Sequence, residues 1–282
     1  MVSEHEALER VARVVAPDGA EVHHLCAAGA GTFSVAPDVD APLENGTYAL
    51  KVAPEAQPGP GRTSRDFEAL RRIDHPHLVK YRDSGIERLG GADYRWLAMD
   101  FVEGSTLQQL LADEVAFALP TAVRMLQELV SGAAALWEVG TTHGALSADN
   151  VMIGRSGDAV IVDLGLAQNV MSPHQGSTVA RQQHSANQPY DDWRADQLAL
   201  GLLGYRMVTG ADPTVQHDDP GAALRVLMQA APRTASDGSS PAHRELARIL
   251  VRMLASRPPD RFAEPATLLA ELDRVAEALG AA

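Results

Sequence analysis

The stretch that decides the fold is residues 143 to 165, which read H-G-A-L-S-A-D-N-V-M-I-G-R-S-G-D-A-V-I-V-D-L-G. Two short apolar runs, 151–153 and 159–162, flank a turn rich in Gly, Ser and Asp, a pattern that predicts a β-hairpin. Asn150 and Asp163 stand at comparable positions on the two ends of that hairpin. An amide and a carboxylate brought together in this way suit a Mg²⁺ ion that carries a nucleotide phosphate.

The spacing of this stretch resembles the catalytic core of protein kinases, in which H-R-D-x-x-x-x-N precedes D-F-G by about a dozen residues. His143 matches the histidine of that pattern, Asn150 its asparagine, and residues 163–165 its D-F-G. The resemblance implies an α+β, bilobal protein-kinase-like fold of the bacterial Hanks Ser/Thr type. In that fold a small β-rich N-lobe carries one main helix, and a larger C-lobe is α-helical. The resemblance also implies that Asn150 and Asp163 bind Mg²⁺ together with ATP or another purine nucleotide.

Three positions depart from the kinase pattern: Gly144 replaces its arginine, Ala145 its catalytic aspartate and Ser147 its lysine. In the family these groups pair with a phosphorylated activation loop, accept the proton of the substrate hydroxyl and neutralise the transferring phosphoryl group. General-base catalysis contributes about 10²–10⁴ in rate, and charge stabilisation dominates phosphoryl transfer. We therefore expect no catalytic residue at these positions, which places the chain on the pseudokinase branch and predicts that it is not an enzyme.

A glycine-containing run and a lysine strand extend the resemblance towards the N-terminus. The run G-A-G-T-F-S resembles the kinase glycine-rich loop, whose glycines let the backbone approach phosphates while an aromatic tip folds over them. That resemblance implies that Gly29, Gly31 and Phe33 bind the nucleotide. The later run Y-A-L-K-V resembles V-A-I-K, so Ala49 and Lys51 join the site, and Lys51 is expected to pair with phosphates.

The acidic partner of Lys51 is less well defined by the sequence. A helix predicted from Ser64 to Ile73 precedes H-P-H-L-V, which resembles the kinase motif H-P-N-I-V. Counting back from this motif places Asp66 where the helix glutamate of the family lies, although aspartate is shorter by about 1.5 Å. Alternatively, residues 63–66 form a capping box and Asp66 serves the start of the helix. Both interpretations of Asp66 remain open.

The run W-L-A-M-D-F-V-E-G resembles the strand and hinge that join the two lobes of a kinase. In the family the hinge backbone hydrogen-bonds adenine, which implies that Asp100 and Val102 bind the base. Met99 is expected to line the back of the same pocket. Met152, on the first strand of the hairpin, is assigned to the nucleotide site by the same resemblance.

Further matches to the kinase pattern assign elements in the rest of the chain. A capping box at residues 3–6, followed by apolar residues at helical spacing, predicts a short N-terminal helix packed on the first lobe. Asp196 matches the structural aspartate of the central kinase helix. Arg261 matches the arginine that pairs with the glutamate of A-P-E, but His184 replaces that glutamate, so Arg261 is expected to lack this ion pair. Helices are predicted near residues 105–113, 120–139 and 191–210.

Composition excludes some classes of partner. The formal net charge of −13 at pH 7 disfavours nucleic acid and anionic membrane surfaces as partners, because both bind best to surfaces rich in Lys and Arg. One cysteine permits no intrachain disulfide, as is usual in a reducing compartment. No apolar stretch is long enough to cross a bilayer, which predicts no membrane insertion. These observations together predict a cytoplasmic location.

The matches predict an N-terminal helical extension at residues 1–20, an N-lobe with its hinge at 21–102 and a C-lobe at 103–282. The predicted function is that of a catalytically inactive, nucleotide-binding kinase-like protein that acts as a scaffold or switch. Its protein partner would be one such as a signalling kinase, the substrate of that kinase or an enzyme that it regulates. Two alternatives remain open: a low-activity phosphotransferase that uses Asp149 as its base, and an interaction domain without nucleotide.

Overall fold

The computed structural model describes residues 4–16, 20–28, 30–36, 47–54, 69–112, 116–163, 193–211 and 240–280. The chain divides into two compact units. The first comprises Met1–His75, Val79–Val102 and Asp163–Gln175, and the second comprises Pro76–Leu78, Glu103–Val162 and Gly176–Ala282. Each unit is described by itself.

A five-stranded antiparallel sheet forms the first unit, with the strand order β1-β2-β3-β5-β4. Strands β4 and β5 are joined by a tight turn at Gly90 and Gly91, both of which have positive φ. The strands are β1 Glu21–Ala28, β2 Ala30–Ala36, β3 Tyr48–Pro54, β4 Tyr81–Leu89 and β5 Ala92–Asp100. Of the helix predicted from Ser64 to Ile73, only residues 69–73 are described, and 69–71 are helical.

Helix α1 (Glu4–Val15) covers one face of this sheet, as the sequence predicted. Its buried side chains recur every three or four residues, so they form one apolar stripe along the helix. The stripe packs with alternate residues of β2, β3 and β5 into a single core. The buried members of this core are Leu8, Val11, Ala12, Ala16, Phe33, Val35, Leu50, Val52 and Ala98.

Strand register assigns the two faces of the sheet. Residues directly opposite each other in antiparallel strands point to the same face, and successive residues alternate. Phe33 pairs with Leu50, and both are fully buried on the face that α1 covers. Thr32 pairs with Lys51, and Lys51 in turn pairs with Leu97, so these three residues share the opposite face.

The second unit is mainly helical, with a small three-stranded sheet of order β6-β7-β8. Its strands are β6 Gly104–Thr106, β7 Val151–Gly154 and β8 Ala159–Ile161. Its helices within the described residues are α2 Leu107–Leu111, α3 Leu119–Glu138, α4 Trp193–Thr209, α5 Pro241–Met253 and α6 Pro265–Gly280. A β-sheet first region and a helical second region confirm the predicted α+β class.

Local sequence explains where these helices begin. Thr106 and Gln109 form a reciprocal capping box at the start of α2, with the Gln109 amide hydrogen donating to Thr106 Oγ1. Ser240 caps α5 by accepting the His243 amide at its side-chain oxygen, just before Pro241 at the first helical position. Half of the residues of α3 are buried, because its apolar residues occupy more than one face.

Candidate active site

The stretch that opens the sequence analysis does form a hairpin. Strands β7 and β8 pair antiparallel, with Met152 opposite Val160, and the Gly154 amide donates to the Asp158 carbonyl at 3.0 Å. Gly157 adopts φ 87°, a conformation that favours glycine, so the turn residue suits its backbone. The hairpin prediction is therefore confirmed within the second unit.

Helix α3 holds the turn of this hairpin from one side. Glu128 is largely buried, and its carboxylate accepts a hydrogen bond from the Ala159 amide at 2.8 Å. Arg124, one helical turn earlier, pairs with Glu128 and donates to the Gly157 carbonyl at 3.0 Å. Sequence reasoning missed both residues. The only available signal was a pair of opposite charges spaced four apart on a helix, and that spacing is common on helix surfaces.

Asp196 organises the loop that precedes the hairpin. Its carboxylate, which is 2% exposed, accepts the backbone amides of His143 at 2.6 Å and Gly144 at 2.8 Å. The fully buried His143 ring accepts the Ala145 amide at Nδ1, 3.3 Å away, so Nδ1 carries no proton. Nε2 then donates to the Val162 carbonyl at 3.0 Å, which ties the loop to the end of β8. The structural role assigned to Asp196 matches this geometry.

The residues at the three departures from the kinase pattern have distinct environments. Gly144 adopts φ 74°, a left-handed conformation that glycine occupies without strain. The carbonyl of Ala145 accepts the side-chain amide of Asn150 at 2.8 Å. That bond directs Oδ1 of Asn150 away from Ala145 as the remaining acceptor. Ser147 precedes a 3₁₀ turn, Ala148–Asn150, in which the Asp149 side chain is exposed.

Lys51 and Asp163 form an ion pair in the first unit, with Nζ donating to Oδ2. The two side chains are 13% and 16% exposed, so the pair lies largely out of water. Asp163 has φ 69°, a conformation that costs free energy for a residue with a side chain and that concentrates at functional sites. Its other oxygen, Oδ1, is buried and has no hydrogen-bond partner among the described residues.

An orphaned carboxylate oxygen of this kind fits a hard divalent cation. Mg²⁺ takes oxygen ligands, and a carboxylate with one occupied and one vacant oxygen could bind the ion without losing its lysine partner. Asn150 has an oxygen of the same chemical type at Oδ1, and its binding of the same ion stays a prediction. Asn150 and Asp163 belong to different units, so each is described only in its own surroundings.

The comparisons with known proteins agree with this geometry. The family profile described as "Protein kinase domain" matches residues 23–271. The chain belongs to the protein kinase family. Relatives include serine/threonine-protein kinase PknL of Mycobacterium tuberculosis, 28% identical over 265 residues, which are 89% of this chain and 64% of PknL. Another is pkn3 of Myxococcus xanthus, 27% identical over 233 residues, covering 76% of this chain and 42% of that kinase.

A third relative is serine/threonine-protein kinase PknB of Mycolicibacterium smegmatis, 24% identical over 229 residues. This match covers 77% of the chain and 36% of PknB. The chain thus spans less than two thirds of the length of each of these curated kinases. The resemblance to bacterial Hanks-type Ser/Thr kinases is confirmed.

These relatives also correct one prediction. We expected, from Gly144, Ala145 and Ser147, that the chain is not an enzyme. The family match and the relatives named serine/threonine-protein kinases point instead to an enzyme, so that prediction is wrong. Single-residue departures were weighed too heavily against a family pattern that extends over most of the chain.

The glycine-rich loop of this kinase domain differs from the expectation. Gly31 lies in β2 opposite Val52, while Gly29 lies outside the described residues. Phe33 is fully buried in the core under α1, on the face opposite to Lys51, so it does not lie where an aromatic tip over the phosphates would. Thr32, which sequence reasoning did not consider, is directly opposite Lys51.

The predicted hinge residues lie at the end of β5. Met99 is 5% exposed and pairs with Ala49, which places both on the face of Lys51. Asp100 ends the strand, its amide donating to the Lys80 carbonyl at 2.9 Å, and Val102 ends its segment of the first unit. Met152 lies on β7 in the second unit, and its role, like that of the hinge backbone, stays a prediction.

Two ion-pair predictions concern residues that are only partly described. Asp66 and His184 lie outside the described residues, so pairing of Asp66 with Lys51 stays a prediction. Arg261, expected to lack its kinase partner, is 5% exposed and donates to the carbonyls of Ala255 and Arg194, both at 2.8 Å. Backbone carbonyls therefore satisfy this buried guanidinium.

In the part of the chain that the structure describes, no group of three or more His, Cys, Asp or Glu side chains could hold a metal ion. Among the same residues, no helix combines the length and apolar character needed to cross a bilayer.

Proposed function

We propose that this chain is a serine/threonine protein kinase that uses Mg-ATP. The observation that carries the proposal is the largely buried Lys51–Asp163 pair, in which one carboxylate oxygen has no partner among the described residues. A buried polar atom without a partner costs free energy, so it is retained where something else binds it. A lysine beside a cation-binding carboxylate gives one positive charge for phosphates and one ligand for the metal that accompanies them.

Nucleotide recognition in the first unit would use the sheet face that carries Lys51. Ala49, with its small side chain, and the apolar Met99 lie on this face and would line the place of the purine. Lys51 would contact phosphate oxygens as a point charge. Asn150 and Met152 are assigned to the nucleotide by the resemblance alone.

The proposed reaction is transfer of the γ-phosphoryl group to a Ser or Thr hydroxyl. The bond from the γ-phosphorus to the bridging oxygen of ADP breaks, and a bond from the same phosphorus to the hydroxyl oxygen forms. Bound Mg²⁺ would neutralise phosphate charge, with Asp163 and Asn150 as its protein ligands. The hydroxyl proton needs an acceptor, and the exposed carboxylate of Asp149 is the candidate, because Ala145 carries only a methyl group.

Protein partners follow from this proposal. The first partner would be the protein that carries the phosphorylated hydroxyl, and a signalling kinase or a regulated enzyme are further candidates. The negative net charge favours a partner surface or peptide with positive charge. A kinase that also responds to such a partner would combine the predicted switch with catalysis.

The experiment that tests the proposal combines nucleotide binding with transfer. Mg-ATP at 100 times its dissociation constant should stabilise the fold by about 2.7 kcal/mol in a thermal-shift titration. Lys51→Ala and Asp163→Ala should each remove that shift and the transfer of radiolabel to a Ser/Thr peptide library. Lys80→Ala is the matched control, because Lys80 is the only other lysine and is half exposed.

Asp149→Asn separates the proton acceptor from binding. It should leave the thermal shift intact while lowering the transfer rate by about 10²-fold or more. A wild-type chain that shows neither a shift at millimolar Mg-ATP nor any label transfer would contradict the proposal.

A further inference from the structure

Strand β4 contains a bulge at Arg82. Tyr81 lies opposite Met99, and Asp83 lies opposite Ala98, so two steps along β4 match one step along β5. Arg82 is therefore the extra residue. A bulge turns the side chain of its extra residue out of the regular alternation and is retained where that redirection is used.

The redirected Arg82 side chain reaches the last residue of β5. Its Nε donates to Asp100 Oδ1 at 2.5 Å. Its guanidinium carbon lies 5.9 Å from the centre of the Tyr48 ring, within the range of a cation–π contact. Tyr48 is directly opposite Asp100 in the β3–β5 register, so the cluster of Tyr48, Arg82 and Asp100 joins three adjacent strands.

Backbone contacts hold the bulge from its other side. Arg71 donates through Nε to the Arg82 carbonyl at 2.9 Å and pairs with Asp83 at 3.0 Å. The Asp100 amide donates to the Lys80 carbonyl at 2.9 Å. The carboxylate of Asp100 is thus bonded to β4 and its amide to Lys80, the residue just before β4, which restricts rotation of the Asp100 backbone.

The cluster acts from behind the proposed nucleotide site. Tyr48 shares a face with Leu50 under α1, and its partner Asp100 points to that same face, away from Lys51. Arg82 therefore cannot touch a nucleotide on the face of Lys51. The resemblance to the kinase hinge assigns the Asp100 backbone to the base, so Arg82 would influence a bound nucleotide through that backbone.

We propose that Arg82 is a positioning residue that orients the Asp100 backbone towards the purine base and so determines base selectivity. This inference rests on the proposed nucleotide-dependent function. The Arg82 and Asp100 side chains are 35% and 42% exposed, and pairs this exposed add little stability. The pair instead restricts the conformation of the Asp100 backbone. Its removal should therefore change recognition of the base more than the stability of the fold.

The test compares Arg82→Gln with Arg88→Gln. Arg88 pairs with Asp93 at 3.5 Å on the same hairpin, at the end away from Asp100, and serves as the matched control. Titration calorimetry would measure dissociation constants for Mg-ATP, Mg-ITP and Mg-tripolyphosphate, with thermal unfolding as a folding check. ITP lacks the exocyclic amine of adenine, and tripolyphosphate lacks the base altogether.

We expect Arg82→Gln to weaken Mg-ATP binding about tenfold, the loss of roughly one oriented hydrogen bond, with tripolyphosphate unchanged. The preference for ATP over ITP should fall by the same factor, and in turnover the KM for ATP should rise while kcat is kept. Asp100→Ala, which removes the acceptor of the Arg82 hydrogen bond, should reproduce the effect, and the double variant should add nothing to it. Arg88→Gln should match the wild type.

Two results would overturn the inference. One is an ATP/ITP preference that is equal in Arg82→Gln and Arg88→Gln while the wild type binds ATP. The other is an equal loss of ATP and tripolyphosphate affinity in Arg82→Gln, which would mean general damage to the unit. Absence of any ATP binding by the folded wild type would overturn the proposed function, and the inference with it.

Discussion

The pairing of Lys51 with Asp163 shows how single residues are prepared for a charged ligand. Each side chain neutralises the other, so neither charge is left alone in a region that is largely out of water. The second oxygen of Asp163 keeps its capacity to accept a ligand. When a phosphate and its metal bind, Lys51 and Asp163 would therefore exchange partners, and neither would become an unpaired buried charge.

Substitution of Lys51 alone should destabilise the ligand-free protein. Lys51→Met leaves the Asp163 carboxylate without its partner and should lower the free energy of unfolding by about 1–3 kcal/mol. Adding Asp163→Asn should recover part of the loss, because the amide carries no charge. Urea denaturation would measure both, with Lys80→Met as the exposed control. Additive losses in the double variant would contradict the argument.

Tyr205 should make the stability depend on pH in the alkaline range. Burial raises the pKa of Tyr205 above its ordinary value of about 10. The unfolded chain then loses this proton at lower pH than the folded chain does. The stabilisation is fully present below about pH 10 and is lost as the pH rises through the folded-state pKa.

The comparison of wild type with Tyr205→Phe isolates this effect. Above about pH 10 the free energy of unfolding should fall more steeply for the wild type than for the variant, until the folded-state pKa is passed. Denaturation curves at several pH values would give both slopes. Parallel slopes would show that Tyr205 does not contribute.

Helix α1 illustrates how an element outside the matched family region can support the site. The kinase domain match begins at residue 23, and α1 ends at Val15. The helix buries one face of β2, β3 and β5, whose other face carries Lys51. We infer that α1 is an integral part of the first unit, because its removal would expose a continuous apolar surface.

Two substitutions on α1 should have opposite consequences. Val11 is fully buried and Val14 is 58% exposed, although only three residues separate them. Val11→Asp places an unpaired charge in the core and should cost about 3 kcal/mol or more. Val14→Asp carries the same penalty in helix propensity but should change stability by only about 0.5 kcal/mol. Equal effects on urea denaturation would mean that the helix does not pack on the sheet.

At the scale of the whole molecule, excess negative charge opposes folding. The formal net charge is −13 at pH 7, and the sequence isoelectric point is about 5.1. Self-repulsion of this kind destabilises a compact state and is screened by salt. The exposed ion pairs, such as Arg13–Glu9, are also screened, but each contributes little.

Salt should therefore stabilise this protein near neutral pH. Raising the ionic strength from about 0.01 M to about 0.1 M shortens the Debye length from about 30 Å to about 10 Å. We expect Tm to rise by about 2–4 °C at pH 7, a gain of roughly 1 kcal/mol. Near pH 5 the rise should vanish, because the net charge approaches zero. A fall in Tm with salt at pH 7 would show that the ion pairs dominate.

Much of the site was accessible from the sequence because its signals are local. The hairpin was predictable from two apolar runs around a Gly/Ser/Asp turn, and Asp163 from its place after the second run. The burial of Phe33 could also have been predicted from the sequence. Phe33 and Val35 alternate with polar residues along β2, which places Phe33 on the apolar face instead of over the phosphates.

The sequence by itself determined the protein kinase family, the α+β class and the residues around Asn150 and Asp163, since spacing along the chain encodes them. Only the tertiary structure decided that Lys51 pairs with Asp163, 112 positions away, and that Glu128 accepts the Ala159 amide across 31. It also decided that a bulge turns Arg82 towards Asp100. Such contacts depend on strand register and helix packing, which bring together residues that no local pattern links.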